Sequence, residues 1–242
     1  MGRHRRRLLK LATELTRANP WIDDPAALIV AGTVMVDGRI VTNPASLVRM
    51  GASIELRGAP PLRGEAKLRA ALSGFAPSVH GRVALDVGAA AGGFTRVLLE
   101  AGASRVYAVD AGFGQLLGSI RQNVRVVNLE RTNLGDLDDN RVPEVIDIIT
   151  MDLSYLAVAV AAHQLEVLRI APNADLVALV KPTFELGLAA PPAGAEELAL
   201  AVALARDGLE AASWSVLAVI ESPVTGRRGT AEYLIHASRA AV

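Results

Sequence analysis

The chain lacks cysteine altogether and has few histidines. None of its 242 residues is Cys, which excludes disulfide scaffolds, thiolate zinc sites and thiol catalysis. The four histidines show no i,i+3 or i,i+4 spacing, so we expect no metal site. No apolar run approaches the roughly 20 residues that span a bilayer, and no secretory leader follows the basic N-terminal residues. These absences predict a cytoplasmic protein without stable membrane insertion.

Lysine is also scarce. Arginine outnumbers it 22 to 3, and the only lysines are Lys10, Lys67 and Lys181. Arginine keeps its proton under all relevant conditions, whereas lysine can lose it. Positions that retain lysine in so arginine-rich a chain are therefore candidates for chemistry.

Charge is balanced overall but unevenly placed. The 25 basic and 25 acidic residues cancel, yet residues 1–67 carry a net charge of +5 and residues 68–242 a net charge of −5. Such asymmetry predicts two modules, with the basic one facing an anion. Because 51% of the residues are apolar, the chain can bury a sizeable core.

The first module reads as a small α+β domain. Two helices, a basic one over residues 5–19 and a short one over residues 25–31, are predicted to precede the hairpin. Asp-Gly between the β-branched runs of Val34-Met35-Val36-Asp37-Gly38-Arg39 predicts that hairpin. A Gly- and Pro-rich stretch then marks a linker. We place the first domain at residues 1–57, the linker at 58–66 and the second domain at 67–242.

The second module alternates short apolar strands with helices, which are predicted near residues 93–101, 113–121, 156–168 and 194–211. This rhythm predicts a doubly wound, mostly parallel sheet. The last two strands are too close in sequence for a crossover helix, so an antiparallel final strand is expected. The seven predicted strands cover residues 83–87, 105–109, 124–129, 146–151, 176–180, 216–220 and 231–235.

Three strand ends predict a nucleoside site. Small residues after the first strand allow a ligand to approach the backbone, although their spacing is not that of a dinucleotide fingerprint. Asp110 ends the second strand, where a carboxylate can accept both ribose hydroxyls, and the third strand ends near a possible adenine position. No phosphate-binding Lys-Ser/Thr loop is present. An acidic rim of this kind fits S-adenosylmethionine better than NAD. The predicted cofactor-binding residues are Asp86, Gly88, Ala89, Gly92, Gly93, Phe94, Asp110, Glu130, Asn133 and Asp152.

The sequence resembles a known family, the TlyA rRNA 2′-O-methyltransferases, which are also labelled hemolysins. This family belongs to the wider FtsJ-like methyltransferases. The resemblance implies a Rossmann-like class I methyltransferase fold and an N-terminal S-four-type RNA-binding domain, here atypical. It also implies ribosomal RNA or ribosomal subunits as partners. Its motifs occupy residues 63–68, 85–95, 111–116, 129–133, 152–155, 179–187 and 222–233.

The same resemblance implies a catalytic tetrad of Lys67, Asp152, Lys181 and Glu232. Lys181 is the expected base or alkoxide stabiliser for a ribose 2′-hydroxyl, oriented by Asp152. Lys67 is expected to hold the target nucleotide, and Glu232 to hold Lys67. Two of the three lysines fall on tetrad positions, which favours function over a surface role.

Other functions remain open at the level of sequence. The alternatives are a non-catalytic ribosome-binding or assembly protein, a membrane-active hemolysin and a small-molecule methyltransferase. The first would not need the tetrad, the second would need an amphipathic insertion segment, and the third would not need a basic N-terminal module.

Overall fold

The structure is a computed structural model that describes residues 8–19, 22, 24–56, 62–192, 194–226 and 229–239. The chain divides into two compact units, residues 1–60 and residues 61–242. The larger unit begins with an α-helix, α3 (Arg63–Phe75).

The first unit contains two short helices and two small sheets. Strands β1 and β4 form an antiparallel pair, and β2 lies between β3 and β5 in an antiparallel sheet. Asp37 and Gly38 both have positive φ at the predicted hairpin turn, as such turns require. The elements are β1 (Leu8–Lys10), α1 (Leu11–Ala18), α2 (Pro25–Val30), β2 (Val34–Val36), β3 (Arg39–Ile40), β4 (Leu47–Arg49) and β5 (Ile54–Leu56).

One expectation for this unit was wrong. The basic stretch at residues 5–19 was predicted to be a single helix, but residues 8–10 form β1. The reason is β4, an unpredicted strand that pairs with β1 and satisfies its backbone groups. Residues 5–7 of the predicted helix lie outside the described part of the chain.

The second unit has the predicted strand–helix alternation. After α3, its elements are β6 (Val83–Val87), α4 (Gly93–Glu100), β7 (Arg105–Asp110), α5 (Gly118–Arg121), β8 (Val126–Glu130), β9 (Ile146–Met151), α6 (Val158–Gln164), β10 (Ile170–Val180), α7 (Pro182–Glu185), α8 (Ala195–Ala211), β11 (Trp214–Glu221) and β12 (Tyr233–Arg239).

These strands form one seven-stranded sheet in the order β11-β12-β10-β9-β6-β7-β8. Strands β6 to β10 pair in parallel, whereas β12 is antiparallel to both β10 and β11. The predicted mostly parallel sheet with an antiparallel last strand is confirmed. Helices cover both faces, since Leu68, Leu98 and Ile120 pack on one side and Ala161 and Ala205 on the other.

Part of the predicted linker is helical. Residues 63–66 were placed in the linker, but they form the first turn of α3. The Glu65 carboxylate accepts a hydrogen bond from the Leu62 N–H at 3.2 Å, which fixes the start of the helix. Gly64 and Gly93 then allow α3 and α4 to approach closely, because a Cβ on Gly93 would lie 3.1 Å from the Gly64 Cα.

Candidate active site

Three strands bring charged residues to one edge of the large sheet. Asp152 follows β9 and Lys181 follows β10, so both lie at the carboxyl edge of the parallel strands. The first residue of β12 pairs with the last residue of β10, which places Glu232 at the same edge. Lys67 reaches this edge from α3. The fold therefore gathers all four predicted tetrad residues.

The tetrad forms a continuous chain of contacts. The Lys181 ammonium lies 2.5 Å from Oδ1 of Asp152 and donates to the Ser154 hydroxyl at 2.8 Å. The other Asp152 oxygen, Oδ2, is 3.7 Å from the Lys67 ammonium. Lys67 in turn donates to Oε2 of Glu232 at 2.7 Å. Asp152 thus joins two lysines, and Ser154 is a contact that the sequence did not predict.

The two ends of this chain differ in solvent access. Lys67 and Glu232 are each 6% exposed, so their charges are removed from water and balance each other. Lys181 is less enclosed and lies nearer the surface of the edge. This placement makes Lys181 the more accessible lysine, whereas Lys67 is held between two carboxylates rather than open to a phosphate.

A turn between β11 and β12 sets the position of Glu232. The Ser222 N–H donates to the Glu232 carbonyl at 2.8 Å, and the Gly226 N–H donates to the Thr230 carbonyl at 2.7 Å. A Cβ on Gly226 would lie 2.9 Å from Oε1 of Glu232. Glycine is therefore needed at position 226 for the carboxylate to occupy its place beside Lys67.

The turn between β6 and α4 lies beside the tetrad. Gly88, Ala90 and Gly92 all have positive φ, which folds the chain back at the carboxyl end of β6. The N–H groups of Gly88 and Ala89 both donate to the Val109 carbonyl, at 2.9 and 3.0 Å. The turn is thereby fixed to β7 and presents its backbone at the sheet edge.

Asp110 closes this turn from the neighbouring strand. Its carboxylate accepts from the Ala90 N–H at 2.8 Å and from the Gly112 N–H at 2.6 Å. Each carboxylate oxygen has a further lone pair, so ribose hydroxyls can be accepted as well. The geometry fits the ribose role predicted from sequence.

Asp86, predicted to bind the cofactor, does not reach the edge. It is fully buried, and its carboxylate accepts from the Thr95 and Thr150 hydroxyls at 2.5 and 3.0 Å. Burial raises the pKa of Asp86 to about 6, although both hydroxyls act to lower it. Asp86 links β6, α4 and β9 beneath the site, because its side chain points into the protein.

Glu130 is also engaged by the protein itself. It accepts from the N–H groups of Gln115 and Leu116 at 2.8 and 3.1 Å and pairs with Arg121 at 2.8 Å. Burial raises the pKa of Glu130, but the hydrogen bonds and the Arg121 charge outweigh burial and lower it. This carboxylate organises the segment after β7. Asn133 is exposed three residues after β8, and its side-chain amide donates to Oδ2 of Asp136 at 3.1 Å.

The remaining motif residues pack rather than face the site. Gly92 has positive φ, and a Cβ there would lie 2.5 Å from the Ile120 side chain. Gly93 and Phe94 contact α3, with Phe94 almost fully buried. Ala89 is buried as well. Gly92 and Gly93 shape the turn through their backbone, and the buried side chains of Ala89 and Phe94 need no ligand contact.

Two aromatic residues, Phe113 after β7 and Tyr155 after β9, are not among the predicted cofactor or tetrad residues. Burial raises the pKa of the Tyr155 phenol, although a hydrogen bond with the backbone of Leu134 acts to lower it, and the Asp110 carboxylate raises it further. Tyr155 is 50% exposed and Phe113 is 64% exposed. The Arg131 guanidinium lies 3.8 Å from the Phe113 ring centroid. The sequence alone does not show that these aromatic rings are exposed at the sheet edge.

Comparison with known proteins identifies the family. Residues 62–239 match the FtsJ-like methyltransferases. The chain belongs to this family. A Mycobacterium tuberculosis protein named 16S/23S rRNA (cytidine-2′-O)-methyltransferase TlyA is 39% identical over 87% of this chain and 81% of its own length. Hemolysin A of Brachyspira hyodysenteriae is 35% identical over 65% of this chain and 67% of its own. The predicted TlyA relationship and the S-adenosylmethionine cofactor of this methyltransferase are confirmed.

Solved structures confirm the fold. A hemolysin-like protein from Streptococcus thermophilus is 27% identical, with a TM-score of 0.68 over 97% of this chain and 90% of that chain. An S-adenosylmethionine-dependent methyltransferase from Mesorhizobium loti, at 18% identity, has a TM-score of 0.52 over 72% of this chain and 98% of that chain. The predicted Rossmann-like methyltransferase fold is therefore present.

Two features are absent from the described residues. No helix in the described ranges is both long enough and apolar enough to cross a membrane. Within the same ranges, no group of three or more His, Asp or Glu residues is arranged to hold a metal ion.

Proposed function

We propose that this methyltransferase transfers a methyl group to a ribose 2′-hydroxyl in ribosomal RNA, with cytidine as the target nucleoside. The main supporting observation is the series of contacts that joins Lys181, Asp152, Lys67 and Glu232 at the edge of the sheet. A weakly acidic hydroxyl needs a group that accepts its proton or stabilises its alkoxide. The names of its relatives, which specify cytidine 2′-O-methylation of rRNA, support the same substrate.

The turn between β6 and α4, beside the tetrad, is the proposed cofactor site. Asp110 would accept the ribose hydroxyls, the backbone of Gly88 would lie along the cofactor, and Asn133 would meet the adenine. A sulfonium-bound methyl group supplies the electrophile. Asp152 lies between this turn and both lysines, because its N–H donates to the Val87 carbonyl at 3.0 Å.

Lys181 is the proposed group at the ribose hydroxyl. Two of its hydrogen-bonding directions are taken by Asp152 and Ser154, which fixes the nitrogen in place. Lys67 is enclosed by Glu232 and Asp152, so we assign it to orienting Asp152 rather than to binding a target phosphate. This revises the role that the family resemblance implied for Lys67.

The first unit is the proposed S-four-type RNA-binding domain. Lys10 and Arg49 lie on the exposed face of the β1–β4 pair, since Leu9 and Val48 point to the other face. Arg39 is exposed on the hairpin. The two cations on the β1–β4 face suit a phosphate backbone, and Arg39 is a further exposed cation of this unit. Ribosomal RNA or ribosomal subunits are thus the proposed partners, and the cytoplasm the proposed location.

The direct test is methyl transfer to isolated ribosomal material. The purified full chain is incubated with methyl-tritiated S-adenosylmethionine and small subunits, large subunits or naked rRNA from an unmethylated source. The RNA is then digested and its nucleosides separated. We expect label in 2′-O-methylcytidine with wild-type protein and none with Lys181→Arg. Label in a base-methylated nucleoside contradicts the proposal, and binding to subunits without any label favours a non-catalytic assembly protein.

A further inference from the structure

A carboxylate outside the tetrad connects the two segments that carry the catalytic pair. Glu185 ends the short helix α7, which begins directly after Lys181. Its Oε1 accepts a hydrogen bond from the N–H of Val158, the first residue of α6, at 2.9 Å. Asp152 and Ser154 lie on the segment that leads into α6. Glu185 therefore bridges from the lysine segment to the aspartate segment.

The start of α6 needs this contact. The first N–H groups of a helix have no partner within the helix. Ala157 precedes α6 and has no side-chain acceptor to offer. The Glu185 carboxylate replaces that acceptor from another element. Among the described residues, the Val158 N–H is its one hydrogen-bond partner.

Together these contacts close a ring. The N–H of Glu185 donates to the Lys181 carbonyl at 3.1 Å, and its side chain fixes Val158. The chain then runs back from Val158 to Ser154 and Asp152, which hold the Lys181 ammonium. The Lys181 ammonium is thus positioned from two sides, by its own segment through Glu185 and by the segment that carries Asp152 and Ser154.

We propose that Glu185 is a positioning residue for methyl transfer, which holds the Asp152–Lys181 pair in register by fixing the start of α6. This inference rests on the proposed function, because it assigns a role within the same reaction. Glu185 does not touch the reacting atoms and acts through the two segments that it joins. Small displacements of reacting groups lower rates by up to about 100-fold, so loss of this contact is expected to act on the rate.

Asp147 provides a matched control. It is partly buried like Glu185, and its Oδ2 accepts from the Val83 N–H at 2.9 Å, the same distance. Asp147 lies near the start of β9, five residues before Asp152 and roughly 16 Å away along an extended strand. Asp147→Ala removes an equivalent bond at the opposite edge of the sheet, so it reports the effect of lost stability alone.

The test compares Glu185→Ala, Glu185→Gln and Asp147→Ala in the full chain. Single-turnover transfer to rRNA should fall roughly 10-fold to 100-fold in Glu185→Ala, with S-adenosylmethionine affinity by calorimetry unchanged. Glu185→Gln keeps an acceptor oxygen and should restore most of the rate. Asp147→Ala should transfer at the wild-type rate. If Glu185→Ala does not fold, Glu185→Asp keeps the charge but is too short to reach Val158, and should show the same loss.

A second measurement does not depend on activity. The chain has three lysines, and the exposed Lys10 serves as an internal reference for acylation by limiting acetic anhydride, read by mass spectrometry. Acylation of Lys181 relative to Lys10 should increase several-fold in Glu185→Ala and stay unchanged in Asp147→Ala. Equal Lys181 acylation in folded Glu185→Ala and wild type overturns the positioning role. If wild-type protein methylates no RNA, the proposed function fails while the acylation ratio still decides the role of Glu185.

Discussion

Gly88 and Asp152 lie in such close contact that a Cβ on Gly88 would sit 2.5 Å from the Asp152 carbonyl oxygen. The turn that faces the cofactor and the segment that carries the central tetrad carboxylate therefore touch through their backbones. Gly88 also has a φ of 86°, a backbone conformation that residues with a Cβ disfavour. The close contact and the backbone angle both favour glycine at this position.

Gly88→Ala should consequently damage both halves of the site. Positive φ alone costs about 1–2 kcal/mol for a residue with a Cβ, and the clash with Asp152 adds to it. We expect a lower melting temperature and weaker S-adenosylmethionine binding, measured by thermal unfolding and calorimetry. Gly81→Ala is the control, since Gly81 has a φ of 76° but nothing within 4 Å of its Cβ position. Equal losses in the two variants contradict a specific contact.

Asp110→Ala should weaken cofactor binding. The change removes the proposed ribose acceptor and the support of the Ala90 N–H, so we expect a loss of about 1–3 kcal/mol. Calorimetry with S-adenosylmethionine gives the value. Asp138→Ala serves as a control, because Asp138 also accepts from two backbone N–H groups, those of Asn140 and Arg141. Unchanged affinity in Asp110→Ala would place the ribose elsewhere.

Lys181→Arg should strongly reduce methyl transfer while leaving cofactor affinity intact. Arginine keeps the positive charge but cannot accept a proton, and loss of a positioned base lowers rates by about 10²–10⁴-fold. Single-turnover kinetics with rRNA measure the effect. The same exchange at Lys10 should leave the rate unchanged. A wild-type rate in Lys181→Arg would show that Lys181 supplies no proton-transfer step.

Asp86 should make stability depend on pH. Its pKa is raised to about 6 in the folded protein, so the folded state takes up a proton at higher pH than the unfolded chain does. Its contribution to the free energy of unfolding is thus least favourable above pH 6 and improves as the pH falls, by about 3 kcal/mol in all once the pH is below the unfolded pKa of about 4. Urea unfolding of wild type and Asp86→Asn across this range should give a difference that changes in this direction. A constant difference would mean that Asp86 keeps its ordinary pKa.

Lys10 and Arg49 should contribute to RNA affinity rather than to chemistry. Replacing both with alanine should weaken binding to rRNA and reduce the slope of log K against log salt by about 0.7–0.9 for each lost phosphate contact. Cofactor affinity should not change. Arg206→Ala removes an exposed cation from α8 and should leave the salt slope as it is. Wild-type RNA binding by the double variant contradicts the RNA-binding assignment of the first unit.

Sequence patterns predicted the sheet well because its strands are short, apolar and bounded by helices. Strands β6 and β9 begin and end where expected. The helix predicted at residues 113–121 was too long, since only Gly118–Arg121 is helical. There the Glu130 carboxylate takes the N–H groups of Gln115 and Leu116, a contact between residues about 15 positions apart that no local pattern contains.

The predicted site residues divide for a similar physical reason. Asp152 and Lys181 meet because the carboxyl ends of neighbouring parallel strands share an edge. Glu232 reaches the same edge from the start of antiparallel β12, and Lys67 reaches it from α3. The direction of Asp86 depends on the Thr150 hydroxyl, 64 residues away, and could not be inferred from β6 alone. Likewise, the Glu185 contact with Val158 joins residues 27 positions apart, so no local pattern in the sequence indicates it.

The insertion of β12 between β10 and β11 fixes the order in which the proposed catalytic tetrad is completed. Protein synthesis proceeds from the N-terminus, so Lys67, Asp152 and Lys181 leave the ribosome well before Glu232. Until β12 enters the sheet, β10 has an unpaired edge and β11 has no strand partner, and Lys67 lacks its partner at 2.7 Å. A nascent chain therefore has an incomplete tetrad until β12 has been translated. The protein, which is proposed to modify ribosomes, becomes competent only after β12 has brought Glu232 beside Lys67.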